Sequence, residues 1–302
     1  MKTLHNFDDL RSLPCPVHWA MGFFDGVHRG HRRVIESAST EGALRGVLTF
    51  RPHPLSLLAP ERAPLLITPH YEHKEKLLRD LGTEVLLILP FTRELASTSP
   101  RDFLRNLSDS CTIAGISVGS NWHFGRGGSG NADFLRAWGN EHKFRTCISD
   151  MLSHGNHTIC SSAIRELLRQ GDISTANSML GYNFTITGTV EHGQKLARQF
   201  GFPTANISLP ISAACPRAGV YKVQATIDGK LRKGIANVGK RPTIDELYKP
   251  TRLEAHFFDW SGDLYGKQLF VELTDFIREE RSFPDLDSLK SQIQRDMALA
   301  KS

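Results

Sequence analysis

The sequence predicts two folds in series: an α/β domain built on a parallel sheet, then a small antiparallel β-barrel that ends in a helix. Three observations carry this. Up to residue 182, near-continuous apolar runs of strand length alternate with helical patterns, as expected of parallel strands covered on both faces. From residue 184 the helices give way to short alternating segments with Gly, Asp or Pro between them, which indicates antiparallel β structure. The chain has 302 residues, more than one compact core usually holds.

In order, "VHWAMGFF" (17–24) reads as a strand and "HRRVIESASTEG" as a helix ending at Gly42. "LRGVLTF" (44–50) is the next strand, stopped by "RPHP". "YEHKEKLLRDLG" is an amphipathic helix closing at Gly82, and "EVLLILPF" a buried strand. "SPRDFLRNLSD" is a helix whose N-cap serine precedes Pro100. "TIAGISVG", helical "FLRAWGNEHKF" and "RTCISDM" complete the alternation. "SSAIRELLRQGDISTANSMLG" (161–181) is one clear helical stretch. Then come "FTITGTVEH", "GVYKVQATIDG", "KLRKGIANVG", "RLEAHFFDW" and "QLFVELTDFI". "PDLDSLKSQIQRDMALA" returns to helix, with Asp285 or Asp287 as N-cap. The boundary falls at 181–186, giving domains 1–182 and 183–302.

Composition narrows the function. With 40% hydrophobic and 23% charged residues it reads as an ordinary globular protein. No apolar run approaches the ~20 residues that cross a bilayer. "MKTLHNFDDLRSL" carries acids and lacks an apolar core, so it does not read as a secretory signal. The five cysteines are scattered without a C-x-x-C pair, which suggests reduced thiols in a cytoplasmic protein. The net charge of +5 is spread among acids, with no basic stripe for nucleic acid, although basic pockets would suit a phosphorylated small molecule.

The most pointed local pattern is "MGFFDGVHRGHRRVI" (21–35). A strand, a tight glycine turn and a helix expose backbone N–H groups at a helix N-terminus, a site that favours anions. If the helix starts near Val27, His28 and His31 share its first turn. Two imidazoles there can hydrogen-bond phosphate oxygens and stabilise charge that grows during phosphoryl transfer. Gly30 between them leaves room for a nucleotide. Neither a G-K-[ST] step nor G-x-G-x-x-G is present, so this is not a Walker loop or a dinucleotide fingerprint.

This stretch resembles the HxGH signature of the nucleotidyltransferase superfamily related to class I aminoacyl-tRNA synthetases. The resemblance implies a Rossmann-like domain in which His28 and His31 bind ATP phosphates and expel pyrophosphate, with Gly22, Phe24, Asp25 and Gly30 at the ATP site. "ICSSAIRELL" (159–168) looks like the second signature, which in the flavin branch reads I-S-S-T-x-I-R. Cys160 replaces the first serine and Ser162 the threonine, while Ser161 and Arg165 stand, a set that would clamp triphosphate oxygens. "TFRPHP" (49–54) resembles the T-F-x-P-H-P loop beside the flavin, which implies flavin contacts for His53 and Pro54. "VGSNWHFGRGGSGN" (118–131) resembles V-G-x-[DN]-F-x-F-G, with Asn121 at the acid-or-amide position that would bond a nucleotide or flavin edge. Gly128 stands where many relatives carry a basic residue.

"GTVEHGQKLARQFGFPTANI" (188–207) resembles the riboflavin kinase pattern G-x-V-x-x-G-x-x-x-G-R-x-x-G-[FI]-P-T-A-N, with Ala197 in place of the usual glycine. Thr204 and Asn206 supply neutral oxygens suited to Mg²⁺ that already carries ATP phosphates. Gly188, Gly201 and Phe202 would shape the ATP site, with Lys195 and Arg198 neutralising phosphate. "GIANVGKRPT" (234–243) resembles a loop near the flavin, which implies a contact from Arg241. "LEAHFFDWSGDLYGK" (253–267) resembles [LV]-E-x-H-[LI]-x-[DN]-x-x-x-D-L-Y-G-K, which implies that Glu254 is the general base on the ribityl 5′-hydroxyl. "FIREERSF" (276–283) implies flavin contacts from Arg278 and Phe283.

From about residue 15 to 297 the chain therefore resembles the bifunctional bacterial FAD synthetase family. That resemblance implies riboflavin, FMN, FAD and ATP as substrates or products and Mg²⁺ as cofactor. It further implies small-molecule partners only, no nucleic acid, no membrane, and a cytoplasmic monomer or weak homo-oligomer. The same residues admit three rival readings: a riboflavin kinase whose adenylyl site has weakened, a flavin-sensing module without turnover, and an RNA-modifying relative, which would need a basic-aromatic surface.

Overall fold

The computed structural model describes residues 1–192, 204–240 and 251–301. Two compact units emerge, one of Met1–Pro64 with Tyr71–Cys160 and one of Leu65–His70 with Ser161–Ser302.

The first unit is a wholly parallel sheet. Its strands are β1 (Lys2–Leu4), β2 (Val17–Met21), β3 (Leu44–Arg51), β4 (Val85–Pro90), β5 (Ile113–Gly119) and β6 (Arg145–Ser149), in spatial order β1-β4-β3-β2-β5-β6. The connections carry α1 (Arg29–Ser37), α2 (Pro54–Leu58), α3 (Tyr71–Asp80), α4 (Arg93–Ser97), α5 (Pro100–Ser110) and α6 (Ala132–His142). Every segment read as a strand here is one. β1 is an addition at the edge, too short at three residues to show a pattern. A hairpin of β7 (Ser153–His154) and β8 (His157–Thr158) also escaped notice.

β2 is buried along its whole length because helices cover both faces. Trp19, Met21, Leu48, Leu87, Leu104, Leu107 and Ile116 form the centre of its core. Burial of each such side chain contributes ~2 kcal/mol. His18 is buried too, its ring nitrogens meeting Thr40 Oγ1 at 2.8 Å and Ser117 Oγ at 2.9 Å. Ser99 caps α5 as its position before Pro100 predicts, accepting a hydrogen bond from the Asp102 backbone N–H. α1 stops at Ser37, short of Gly42, because Ala38 leaves helical geometry.

In the second unit the single helical stretch of the sequence is two helices, α7 (Ser161–Gln170) and α8 (Ile173–Leu180). Gly171 breaks the run at φ 84°, and Asp172 then caps α8 by accepting from Thr175 N at 3.0 Å. The sequence reading closed the first domain at 182, whereas these helices cluster with the second unit. The Asn177 carboxamide shows why: it donates to Leu273 O at 2.9 Å and accepts from Phe184 N at 2.7 Å.

The barrel strands are β9 (Thr185–Thr189), β10 (Ala205–Ser208), β11 (Gly219–Ile227), β12 (Lys230–Lys240), β13 (Thr251–Phe257) and β14 (Gln268–Glu279). They run antiparallel in the order β10-β13-β12-β11-β14-β9. Glu191 N donates to Asn206 O at 2.8 Å, so the two edges meet and the barrel nearly closes. The inward row Ala205, Ala255, Ala236 and Tyr221 is fully buried, the small residues leaving space for the tyrosine ring. The last helix, α9 (Leu286–Lys301), is capped by Asp285, whose Oδ1 accepts from Ser288 N at 2.7 Å. Of the two candidate caps, Asp287 lies inside the first turn. Ile293, Met297 and Ala300 of α9 pack on Ile235, Phe258 and Ile277.

Candidate active sites

The first site lies beyond the carboxyl end of β2. Here the chain order reverses across the sheet, since β2 pairs with β3 on one side and β5 on the other. Ligands of open parallel sheets bind at such a switch point. The turn from Gly22 to Val27 holds two non-glycine residues in the left-handed region, Phe24 at φ 56° and Val27 at φ 37°. Each costs on the order of 1 kcal/mol and persists only where surroundings enforce it.

The enforcing contacts converge on one carbonyl. Thr49 Oγ1 of β3 donates to Phe23 O at 3.0 Å. Lys74 Nζ of α3 donates to the same oxygen and to Thr49 Oγ1 at 3.1 Å. The lysine is buried, and its ammonium lies 4.3 Å from the Phe23 ring centroid. Burial pushes its pKa down to about 8, while the Asp25 carboxylate pulls it back up.

α1 begins at Arg29, two residues later than the sequence reading placed it, because Val27 has positive φ and His28 is extended. His28 is therefore the N-cap, with Nδ1 accepting from His31 N at 3.3 Å. That contact requires an unprotonated Nδ1, so the proton of the neutral ring sits on Nε2. The His28 and His31 rings stack with centroids 3.5 Å apart, and Phe24 meets His31 edge-on at 5.3 Å. His31 titrates well below the usual histidine range, first because it is buried and then because His28 and Lys74 are near. It is neutral at pH 7. Its Nδ1 is buried and has no hydrogen-bond partner among the described residues. A side chain at Gly30 would begin 3.1 Å from the His28 ring, so the bare position lets that ring lie across the first turn.

Of the other expected residues in this half, Asp25 is buried in the turn, and Gly22 passes 3.0 Å beneath the Phe24 ring, measured from the Cβ it lacks. His53 caps α2, accepting from Leu55 N at 3.1 Å, and its ring meets Phe23 at 4.4 Å. Pro54 opens that helix. Asn121 is exposed in the loop after β5, beside the stacked rings of Trp122 and Phe124. Ser161, Ser162 and Arg165 occupy the first turns of α7, at the start of the second unit's main segment.

The second site is a row across the barrel. Asn206 of β10 stands opposite Glu254 of β13, which stands opposite Asn237 of β12. Directly opposed residues share a face with Cβ atoms ~5 Å apart. Leu253 and Ala255 are buried while Glu254 is exposed, so this row faces out of the core. Asn206 is nevertheless only 4% exposed. Its Nδ2 lies 3.5 Å from Thr204 Oγ1 and 3.3 Å from Thr204 O, which brings carboxamide and hydroxyl together. Among the described residues no cluster of three His, Cys, Asp or Glu could hold a metal. A cation there would meet neutral oxygens beside one carboxylate, a set that fits Mg²⁺ arriving with nucleotide phosphates. Asn237 Nδ2 in turn donates to Glu280 Oε1 at 2.8 Å.

Comparison with known proteins separates the same two halves. The FAD synthetase family matches residues 11–163, and the riboflavin kinase family matches residues 180–302. The bifunctional riboflavin kinase/FMN adenylyltransferase of Escherichia coli K12 is 34% identical over 100% of this chain and 96% of its own length. The chain belongs to the bifunctional riboflavin kinase/FMN adenylyltransferase family. The Bacillus subtilis member is 36% identical over 92% of this chain and 89% of that protein. A crystal structure described as a macrolide-efflux protein from Streptococcus pneumoniae superimposes with TM-score 0.88 and 27% identity, covering 100% of this chain and 99% of that one. No helix among the described residues is long and apolar enough to cross a membrane.

As a family member the chain is a transferase that joins a riboflavin kinase domain to an FAD synthetase domain. Lys195, Arg198, Gly201, Phe202 and Arg241, expected at the kinase site, lie outside the described residues. Gly188 sits in β9, where a Cβ would come 2.6 Å from Ile207 Cγ2, so close packing of the barrel requires glycine there. The Arg278 guanidinium is held by Asp296 of α9, with Nη2 to Oδ2 at 2.7 Å, and Phe283 lies 5.8 Å from its centre. Sequence reasoning passed over Lys74, whose only signal was its place inside an amphipathic helix. It met Thr49 only as the first residue of the "TFRPHP" motif, without its tie to the turn.

Proposed function

We propose that the chain carries out two successive reactions at two separate sites. In the barrel, 183–302, riboflavin is phosphorylated by ATP to give FMN and ADP. In the α/β domain, 1–182, AMP passes from ATP to FMN to give FAD and pyrophosphate. The observation that carries the reading is the stacked His28–His31 pair at the switch point, joined in the barrel by Asn206 opposite Glu254 with Thr204 beside it.

At the kinase site Glu254 takes the proton of the ribityl 5′-hydroxyl as that oxygen attacks the γ-phosphorus of ATP and ADP leaves. Thr204 Oγ1 and the Asn206 carboxamide would hold Mg²⁺, which when bound neutralises phosphate charge. Exposure of Glu254 suits a base that must reach an incoming hydroxyl. Lys195, Arg198, Gly188, Gly201 and Phe202 serve ATP, and Arg241, Arg278 and Phe283 serve the flavin.

At the adenylyl site an oxygen of the FMN phosphate attacks the α-phosphorus of ATP, and pyrophosphate departs. No proton has to be removed from this nucleophile, so the protein contributes alignment and charge stabilisation. His28 and His31 each offer one N–H to phosphate oxygens. Neutral rings suit this, because their hydrogen bonds strengthen as charge develops without forming a permanent ion pair. Gly22, Phe24, Asp25, Gly30, Asn121, Ser161, Ser162 and Arg165 complete the ATP site, and His53 and Pro54 border the flavin. The partners are small molecules, with no nucleic acid and no membrane, and the protein works in the cytoplasm as a monomer or weak homo-oligomer.

The test is product analysis. Purified protein with riboflavin, ATP and Mg²⁺ forms FMN and then FAD, separable by chromatography. Glu254→Ala stops FMN formation. His28→Ala lowers FAD formation by about 10²–10³-fold, the usual effect of deleting one donor to developing charge. An unchanged FAD rate in His28→Ala would remove that histidine from the mechanism.

A further inference from the structure

The reading above gives the histidines their task but leaves unexplained why a lysine is buried beneath them. Lys74 is 3% exposed, on the face of α3 that packs on the sheet. Its hydrogen bonds go to the Phe23 carbonyl and the Thr49 hydroxyl, and the Asp25 carboxylate lies near enough to raise its proton affinity. Phe23 directly precedes Phe24, the first of the two left-handed residues that aim the turn at α1. Burying an ammonium costs several kcal/mol unless it is paired and hydrogen-bonded, and this one directs its hydrogen bonds to the turn and to the strand beneath it.

We propose that Lys74 is a positioning residue for adenylyl transfer: from α3 its charged amine fixes the Phe23 carbonyl, enforces the strained turn and sets the His28–His31 stack against the ATP phosphates. The inference rests on the adenylyl reading of that site. It assigns the lysine a role in turnover, because the turn's geometry sets where the two imidazole N–H groups point.

Asp25 of the turn raises the proton affinity of the ammonium, and Thr49 of β3 accepts from it. His31 of α1 is depressed partly by its charge, and the Tyr71 ring of its own helix lies 5.9 Å away. Tyr71 keeps its proton, since burial raises its pKa to about 12. His31 stays neutral through the slightly alkaline range, where the lysine titrates. Loss of its proton near pH 8 would weaken its hold on the carbonyl.

Three measurements on the full-length chain test this. FAD formation from supplied FMN falls in the wild type along a single-proton limb near pH 8. Lys74→Met lowers kcat for that reaction at least tenfold, changes the KM for ATP and FMN less than threefold, and abolishes the limb. FMN formation from riboflavin stays within twofold, which reports that the chain is folded. Thr49→Val removes one partner of the ammonium, stays close in shape and moves the limb to lower pH, so the wild-type and Thr49→Val profiles decide even if Lys74→Met does not fold. A flat wild-type profile from pH 7 to pH 9.5, or a Lys74→Met enzyme with wild-type kcat and the same limb, overturns the proposal. A wild-type chain that makes no FAD from FMN overturns the adenylyl reading itself, a different outcome.

Discussion

His18 shows most directly how burial alone sets chemistry in this protein. It is the second residue of β2, fully buried between two hydroxyls. Burial first, then the nearby Arg145 and Arg45, push its pKa down to about 4. The unfolded chain, with an ordinary histidine, takes up the proton at higher pH than the native one. Stability is therefore fully present above pH 7 and is lost as pH falls through the unfolded value near 6.5 toward the folded value of about 4. Between pH 7 and pH 5 the loss from this group is about 2 kcal/mol. Urea titrations at the two pH values would register it, and His18→Leu should remove most of that pH dependence. At this scale the sequence was legible where residues act on near neighbours. The H-x-G-H spacing brings His28 and His31 into one turn, and the stack follows. Lys74 was illegible because its partners, Phe23 and Thr49, are distant in the chain and only the fold brings them under it.

At the scale of elements, legibility followed length and periodicity. β2, β3, β4 and β5 are runs of five or more residues rich in apolar side chains and were readable on that ground; β6, RTCIS, was readable from its place in the alternation. β1 and β10, with three and four residues, carry too little pattern; β10 is specified instead by its pairing with β13. The break at Gly171 was hidden because α7 and α8 are each amphipathic, so the apolar spacing continues past the glycine. α9 was legible as a helix, but its anchor was not. Arg278 reaches Asp296 through Nε and Nη2, and Gln292 donates to the same carboxylate at 2.7 Å. Asp296 is only 1% exposed, so a carboxylate is buried where it meets that guanidinium and the Gln292 amide. Asp296→Asn should lower the stability of the barrel by about 3 kcal/mol, the cost of leaving half of a buried pair. A urea titration of the two proteins at pH 7 measures it. A change below half of that would mean that Arg278 finds another partner and that apolar packing alone holds α9.

At the scale of the whole molecule, the account is one chain with two chemistries. The residues proposed for phosphorylation, Thr204, Asn206 and Glu254, all belong to the barrel unit. The stacked histidines and the lysine beneath them belong to the parallel-sheet unit. The family matches divide in the same way, at 11–163 and 180–302. Composition could show only that more than one core was needed, and periodicity that the two cores differ. Which chemistry each performs was legible only through resemblance to family motifs, because a carboxylate such as Glu254 on an outward strand face looks like any surface residue until a family pattern singles it out.

The most direct test of two separate sites is to supply the Glu254→Ala chain with each flavin in turn, with ATP and Mg²⁺ present, and follow products by chromatography. Given riboflavin it should make neither FMN nor FAD; given FMN it should make FAD at the wild-type rate. FMN appearing from riboflavin, or FAD formation from FMN falling in step with the kinase, would contradict the account.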